Sequence, residues 1–237
     1  MISIKINLNK IKGETIPFEY NYFLGISLYQ KLLGYEKDIK KLHNLSQIGL
    51  YTFSNIISPK KINYNKEGLI IEKGYIIFRT LDDNLINYLR LGILENPDIR
   101  IGNNTIFKVT RIMNLTNNIN FSSENLNFKT LSPILIRNFS KRNLYVDNED
   151  DVSPNLKLVM ENQIKRFFNI NNCTIDFENL KIHMKTIRIS GSSKKESITK
   201  GFNISGSIKA DPEVSKIVYY KGLGSKTSLG LGCWEVI

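Results

Sequence analysis

The sequence predicts an α+β chain in which one element order, β-α-β-β-α-β, occurs twice. Short stretches with apolar residues at every second position alternate with stretches whose apolar residues recur at helical spacing. The later helical stretches carry start signals, namely Asp82, Ser153-Pro154 and Asp211-Pro212. An Asn/Ser-rich stretch from Thr116 to Asn127 separates the two halves.

In the first half, residues 2–8 (ISIKINL) alternate as a strand. Leu24, Leu28 and Leu32 stand four apart in NYFLGISLYQKLL, which predicts a helix with one apolar face. A short helical piece is expected over 36–45. GLYTFSNI and the run Leu69 to Thr80 read as strands. Asp82 opens a helix that Asn96-Pro97 stops. IRIGNNTIFKVTRIMNL reads as a hairpin turning at Gly-Asn-Asn.

In the second half, FKTLSPILIRNF reads as a strand, and Ser153-Pro154 starts a helix to about Asn169. CTIDFENLKIHMKTIRIS is a long strand region with a tip at 191–195 and a return strand SITKGFNISGSIKA. A short helix, PEVSKIVYY, and a final strand, LGCWEVI, complete the half. These are two tandem ferredoxin-like (RRM-like) domains, expected at 1–120 and 121–237. Each packs two helices on one sheet face and leaves the other free for a ligand, often RNA. No repeat is visible at the sequence level, so the tandem reading rests on element order.

No run of about 20 apolar residues exists, so no membrane span is expected. MISIKINLNK lacks the apolar block of a signal peptide. Cys173 and Cys233 are the only cysteines, too few for a disulfide framework or a four-cysteine zinc site, and they suit a reducing cytoplasm. With His43 and His183 they are too scattered for metal-ligand spacing, and neither metal nor cofactor is expected. The formal net charge of +11 attracts polyanions, nucleic acid foremost. Only 8 of the 33 basic residues are Arg, so a lysine-rich solvated coat accounts for part of that charge.

Residues 222–232 read GLGSKTSLGLG and have the look of a phosphate loop. The nucleotide P-loop needs Gly before its Lys, and here Ser225 precedes Lys226. That loop also leads into a helix and further strands, whereas Leu229 to Ile237 are all that follow. A nucleotide site is therefore not expected. Gly222, Gly224 and Gly230 let backbone N–H groups close on an anion, and Ser225, Lys226, Thr227 and Ser228 add donors, which suits an RNA phosphate. The same residues also fit a glycine-rich turn before a buried strand. The stretch 181–209 carries seven Lys/Arg, among them Lys185, Arg188, Lys194 and Lys195, against Glu196 alone, a net +6. Strand alternation puts many of them on one face, either to hold RNA or to keep a sheet edge from aggregating. Arg137, with Lys141 and Arg142, is a second basic candidate.

The tail GLGSKTSLGLG, with YNYFLGISLYQKLL, LHNLSQIGLYTFSNI, GILENPDIRIGNNTIFKV and TLSPILIRN in order before it, resembles the RAMP superfamily. Within it the chain looks like the CRISPR-associated endoribonucleases that cut repeat RNA. The resemblance implies metal-independent cleavage by the 2′-hydroxyl, giving a 2′,3′-cyclic phosphate and a 5′-hydroxyl. Such chemistry needs a base at the 2′-oxygen, an acid at the 5′-oxygen and positive charge on the phosphorane. It also implies CRISPR repeat RNA as partner, with effector-complex subunits and a second copy of the chain as further candidates. His43 matches the family's catalytic histidine in LHNLS…YTFS, and nearby Lys40 and Lys41 favour its neutral form as base. Tyr29 matches a tyrosine that some relatives use beside the histidine, and core packing also explains it. Where some relatives have a lysine six residues after the histidine, this chain has Gly49; Lys40 stands in as candidate, as do Lys60 and Lys61, and each also fits a simple RNA-backbone contact or a solvated charge. The alternative reading is a non-catalytic RNA-binding subunit of the same superfamily.

Overall fold

The computed structural model describes residues 1–33, 49–116, 119–122, 125–139, 144–190 and 196–237. The expected helical piece at 36–45 and the hairpin tip at 191–195 lie outside them.

The first half begins with β1 (Ile2–Lys12) and α1 (Asn21–Leu33), then β2 (Tyr51–Phe53). A small ribbon of β3 (Asn63–Asn65) and β4 (Gly68–Ile70) leads to β5 (Lys73–Thr80), α2 (Asp83–Glu95) and the hairpin β6 (Asp98–Ile101) and β7 (Thr105–Asn114). Its antiparallel sheet runs β2-β5-β1-β7-β6. Without the added edge strand β6 this is the ferredoxin-like order. Ile4, Ile6 and Leu8 of β1 and Ile76 and Phe78 of β5 point to the helix side and are fully buried. Asp82 caps α2, its carboxylate accepting from Asn84 N–H at 3.0 Å.

The second half runs β8 (Asn125–Thr130), α3 (Val152–Phe168), β9 (Ile175–Ser190), β10 (Glu196–Ala210), α4 (Pro212–Lys221) and β11 (Trp234–Val236). Its sheet order is β11-β8-β10-β9, all antiparallel, the ferredoxin-like order again. The chain is thus two tandem ferredoxin-like units, as its element order predicts.

Two expectations need correction. FKTLSPILIRNF is not one strand: β8 ends at Thr130, before Ser132-Pro133, and only isolated bridges follow, at Ile134, Leu135 and Arg137. Proline lacks the N–H a continuing ladder needs. The N-cap of α3 is Asp151 rather than Ser153, and Ser153-Pro154 fall inside its first turn.

The halves are joined by polar contacts. Asn55 N–H donates to Leu131 O at 3.0 Å, and Ser132 Oγ donates to Phe53 O at 3.2 Å. Arg79, on the helix-free face of β5, is buried in the junction. Its guanidinium lies 3.8 Å over the Tyr219 ring and donates to Trp234 O.

Candidate functional site

The glycine-rich segment closes the second unit and packs into the first. Asn21, at the start of α1, donates from Nδ2 to Gly230 O at 3.0 Å. Thr52 Oγ1 donates to Leu231 O at 3.0 Å. A Cβ on Gly25 would come within 3.3 Å of Leu229 Cα, so helix α1 passes directly over the loop. Gly230 has φ +76, and a Cβ there would stand 2.2 Å from the Phe53 ring. Only glycine satisfies both the conformation and the space.

Most of the loop's N–H groups are consumed internally. Gly222 donates to Val218 O, Leu223 to Gly232 O, Ser225 to Leu135 O, Gly230 to Thr227 O and Gly232 to Pro133 O. Gly224 N–H meets Met160 Sδ at 3.1 Å. Gly222, Gly224 and Gly230 are buried and shape the loop; their N–H groups are not turned to a ligand. Three consecutive N–H groups differ. Among the described residues no acceptor meets those of Lys226, Thr227 and Ser228. Lys226 is left-handed, φ 54 and ψ 39, and a short 3₁₀ turn at 227–229 follows. A left-handed residue followed by a right-handed one turns three successive N–H groups inward as an anion nest. Lys226 is exposed, Ser228 is half-buried, and the buried Thr227 hydroxyl has no partner among the described residues.

Gly49 stands against this nest. A Cβ on it would be 2.3 Å from Thr227 Oγ1 and 3.0 Å from Ser228 N. His43 and Lys40 lie outside the described residues, and the chain re-enters them at Gly49. Tyr29 is half-buried on the first core, one helical turn beyond Gly25 on the side facing the loop. Burial, with Tyr29 nearby, pushes the Tyr51 hydroxyl above its ordinary range.

The basic hairpin is divided. Lys181, His183 and Lys185 are exposed on one face of β9, paired across β10 with Ser205, Asn203 and Gly201. Arg188 sits on the other face, half-buried, its guanidinium 5.8 Å from the Phe23 ring of α1. It ties the tip end of the hairpin to the first unit. Lys194 and Lys195 lie outside the described residues. Arg137 is exposed, two residues from Leu135, which pairs with Ser225 of the loop.

Sequence reasoning missed the partners that hold the loop: Asn21, Thr52, Phe53 and Gly25. They are distant in sequence and ordinary in type. It also missed the helix-free face of the first sheet, where Lys5 Nζ lies 3.8 Å over the Tyr75 ring, with Arg111 across Asn7.

Comparison with known proteins decides the family. The model for the N-terminal region of the CRISPR-associated protein Cas6 matches residues 15–113, and that for its C-terminal region matches 115–236. The chain belongs to the Cas6 family. A CRISPR-associated endoribonuclease-like Cas6 protein of Pyrococcus furiosus is 28% identical over 94% of this chain and 92% of its own length. A relative from Pyrococcus horikoshii, named Cas6nc, is 27% identical over 99% of each chain. The solved structure of a Cas6-related gene product from Pyrococcus furiosus superposes with a TM-score of 0.78 at 25% identity, covering 100% of this chain and 98% of that one. A RAMP protein described as binding different RNA substrates shares the fold at TM-score 0.76 and 24% identity, with both chains fully covered.

Proposed function

We propose that this Cas6-family chain binds CRISPR repeat RNA and cleaves it as an endoribonuclease. The observation that carries the reading is the nest of N–H groups at Lys226, Thr227 and Ser228, which meet no acceptor among the described residues, at the junction of the two units. It lies against Gly49, where the segment bearing His43 rejoins the chain. The RNA backbone enters this junction, with one phosphate held by the three N–H groups and the Lys226 ammonium. Donors fixed beforehand cost no reorganisation as charge builds on the phosphorane.

His43 takes the proton from the 2′-hydroxyl, which attacks in line; the 5′-oxygen leaves with a proton, and a 2′,3′-cyclic phosphate forms. Tyr29 orients the histidine or supplies that proton, and Lys40 takes the place of the lysine that relatives have at Gly49. No metal takes part. Residues 1–120 supply the catalytic groups. Residues 121–237 supply the loop, Arg137 and the basic hairpin with Lys185, Arg188, Lys194 and Lys195. Gly222, Gly224 and Gly230 serve by shaping the loop, and Ser225 by anchoring it.

Incubation with the cognate repeat RNA in EDTA tests this. The protein should cut once per repeat, leaving a cyclic phosphate, and His43→Ala should bind and not cut. Intact RNA under conditions of proven binding would sink the catalytic reading. One observation favours the alternative of a binding-only subunit: Gly49 leaves no lysine at that position, and Thr227 fills the space.

A further inference from the structure

Two aromatic rings on the first unit are unexplained by either core. Tyr64, on β3, is 75% exposed, and Phe18, just before α1, is 50% exposed. Their rings meet edge to face, with centroids 6.5 Å apart and planes at 62°. An exposed ring forgoes the burial that ordinarily stabilises it, and paired exposed rings beside cations are a mark of a binding surface.

Both rings are held in place. Ile16 and Leu69 exchange both backbone hydrogen bonds, at 2.9 and 2.8 Å, fastening the ribbon to the Phe18 segment. Two residues on, the Tyr20 hydroxyl accepts from Ile56 N–H at 2.7 Å. The next residue, Asn21, bonds Gly230 of the glycine loop. Three residues of chain therefore link the aromatic pair rigidly to the loop. Close in sequence to Tyr64, Lys60, Lys61 and Lys66 are exposed, and none forms an ion pair among the described residues. Glu19 and Glu67 are the acidic neighbours in sequence, and residues 58–66 hold three lysines and no carboxylate.

We propose that Phe18 and Tyr64 form a stacking platform for unpaired bases of a single-stranded RNA segment, whose backbone Lys60, Lys61 and Lys66 hold. Every base presents a π-face to such a ring, so the platform tolerates any sequence, while the ammonium groups meet phosphates. A protein partner would be served by a neutral apolar patch; three exposed lysines with no ion pair among the described residues favour a polyanion. The inference rests on the RNA-binding reading above.

The test uses the full chain carrying His43→Ala as the parent, so that the RNA stays uncut, with fluorescent repeat RNA and a single-stranded uridine 12-mer. The combined variant Phe18→Ala with Tyr64→Ala should weaken binding of both RNAs about tenfold. Tyr64→Ala alone, on a ring too exposed to support the fold, should weaken it about threefold. Tyr64→Phe keeps the ring and should bind like the parent chain. RNA carrying 5-iodouridine should crosslink to Tyr64. If the parent binds RNA and both alanine variants stay within twofold of it, the platform is wrong and the RNA reading stands. If Tyr64→Phe loses as much as Tyr64→Ala, a hydroxyl contact replaces stacking and the proposal is overturned. If the parent binds neither RNA, both readings fail.

Discussion

Gly49 and the Thr227 side chain compete for one space: a Cβ on Gly49 would stand 2.3 Å from Thr227 Oγ1. The first unit thereby fits the second at the point where three loop N–H groups meet no acceptor among the described residues. Gly49→Ala must displace Thr227 or Ser228, whose backbone nitrogen would be 3.0 Å away. Overpacking of this kind costs about 1–3 kcal/mol, and each kcal/mol lowers the midpoint of a chain this size by about 2–4 °C. Calorimetry should show that loss, and repeat-RNA affinity should fall with it. An unchanged melting temperature together with unchanged affinity would show that the nest does not depend on Gly49.

Lys226 is exposed in the left-handed region, which costs a non-glycine residue about 1 kcal/mol. Lys226→Gly removes both the strain and the charge. Stability should hold or rise by up to about 1 kcal/mol while RNA affinity drops. The slope of log affinity against log salt should shrink by about 0.7–0.9, the share of one phosphate contact. A parent-like slope in a titration from low to moderate salt would remove Lys226 from the interface.

The element order was legible because periods of 2 and 3.6 are local properties, and Asp82 and Asp211-Pro212 mark their helices within a few residues. The break after Thr130 was legible too, in Pro133, but apolar residues on both sides outweighed it. The loop's outward reading missed how much of it is buried. Its burial depends on Phe53, Thr52 and Asn21, and no local pattern ties residues so far apart in the chain. Arg188 read as one more cation on an alternating strand, yet its contact with Phe23 exists only once β9 meets α1. Nor does alternation say that Arg79, unlike Lys73 on the same face, enters a domain junction.

Arg79 carries much of that junction. Its planar guanidinium stacks on Tyr219 and donates to Trp234 O, two tasks that an ammonium group does not combine. Arg79→Lys keeps the charge and should still destabilise the chain by about 1–2 kcal/mol. Limited proteolysis should then cut faster between the two units than within either. Equal stability of the two proteins in a urea titration would show that charge alone matters at this position.

Lys221 ends α4 and is buried, its ammonium donating to Gly222 O at 3.1 Å. Burial in apolar surroundings pushes it down from the ordinary 10.5 to about 7. Between those two values the unfolded chain holds a proton that the folded chain has released, so stability rises with pH across this window. Below about pH 7 both states are protonated, and the cost of burying the charge is present in full. Above 10.5 it has gone. Lys221→Met keeps the unbranched stem without the charge. At pH 7 it should stabilise the chain by up to about 5 kcal/mol, less about 1 kcal/mol for the lost hydrogen bond to Gly222. The gap should narrow as pH rises toward 10 and reverse once Lys221 is neutral in both states. Parallel melting curves of the two proteins across pH 7 to 10 would show that Lys221 keeps its ordinary proton affinity, and therefore that water reaches it.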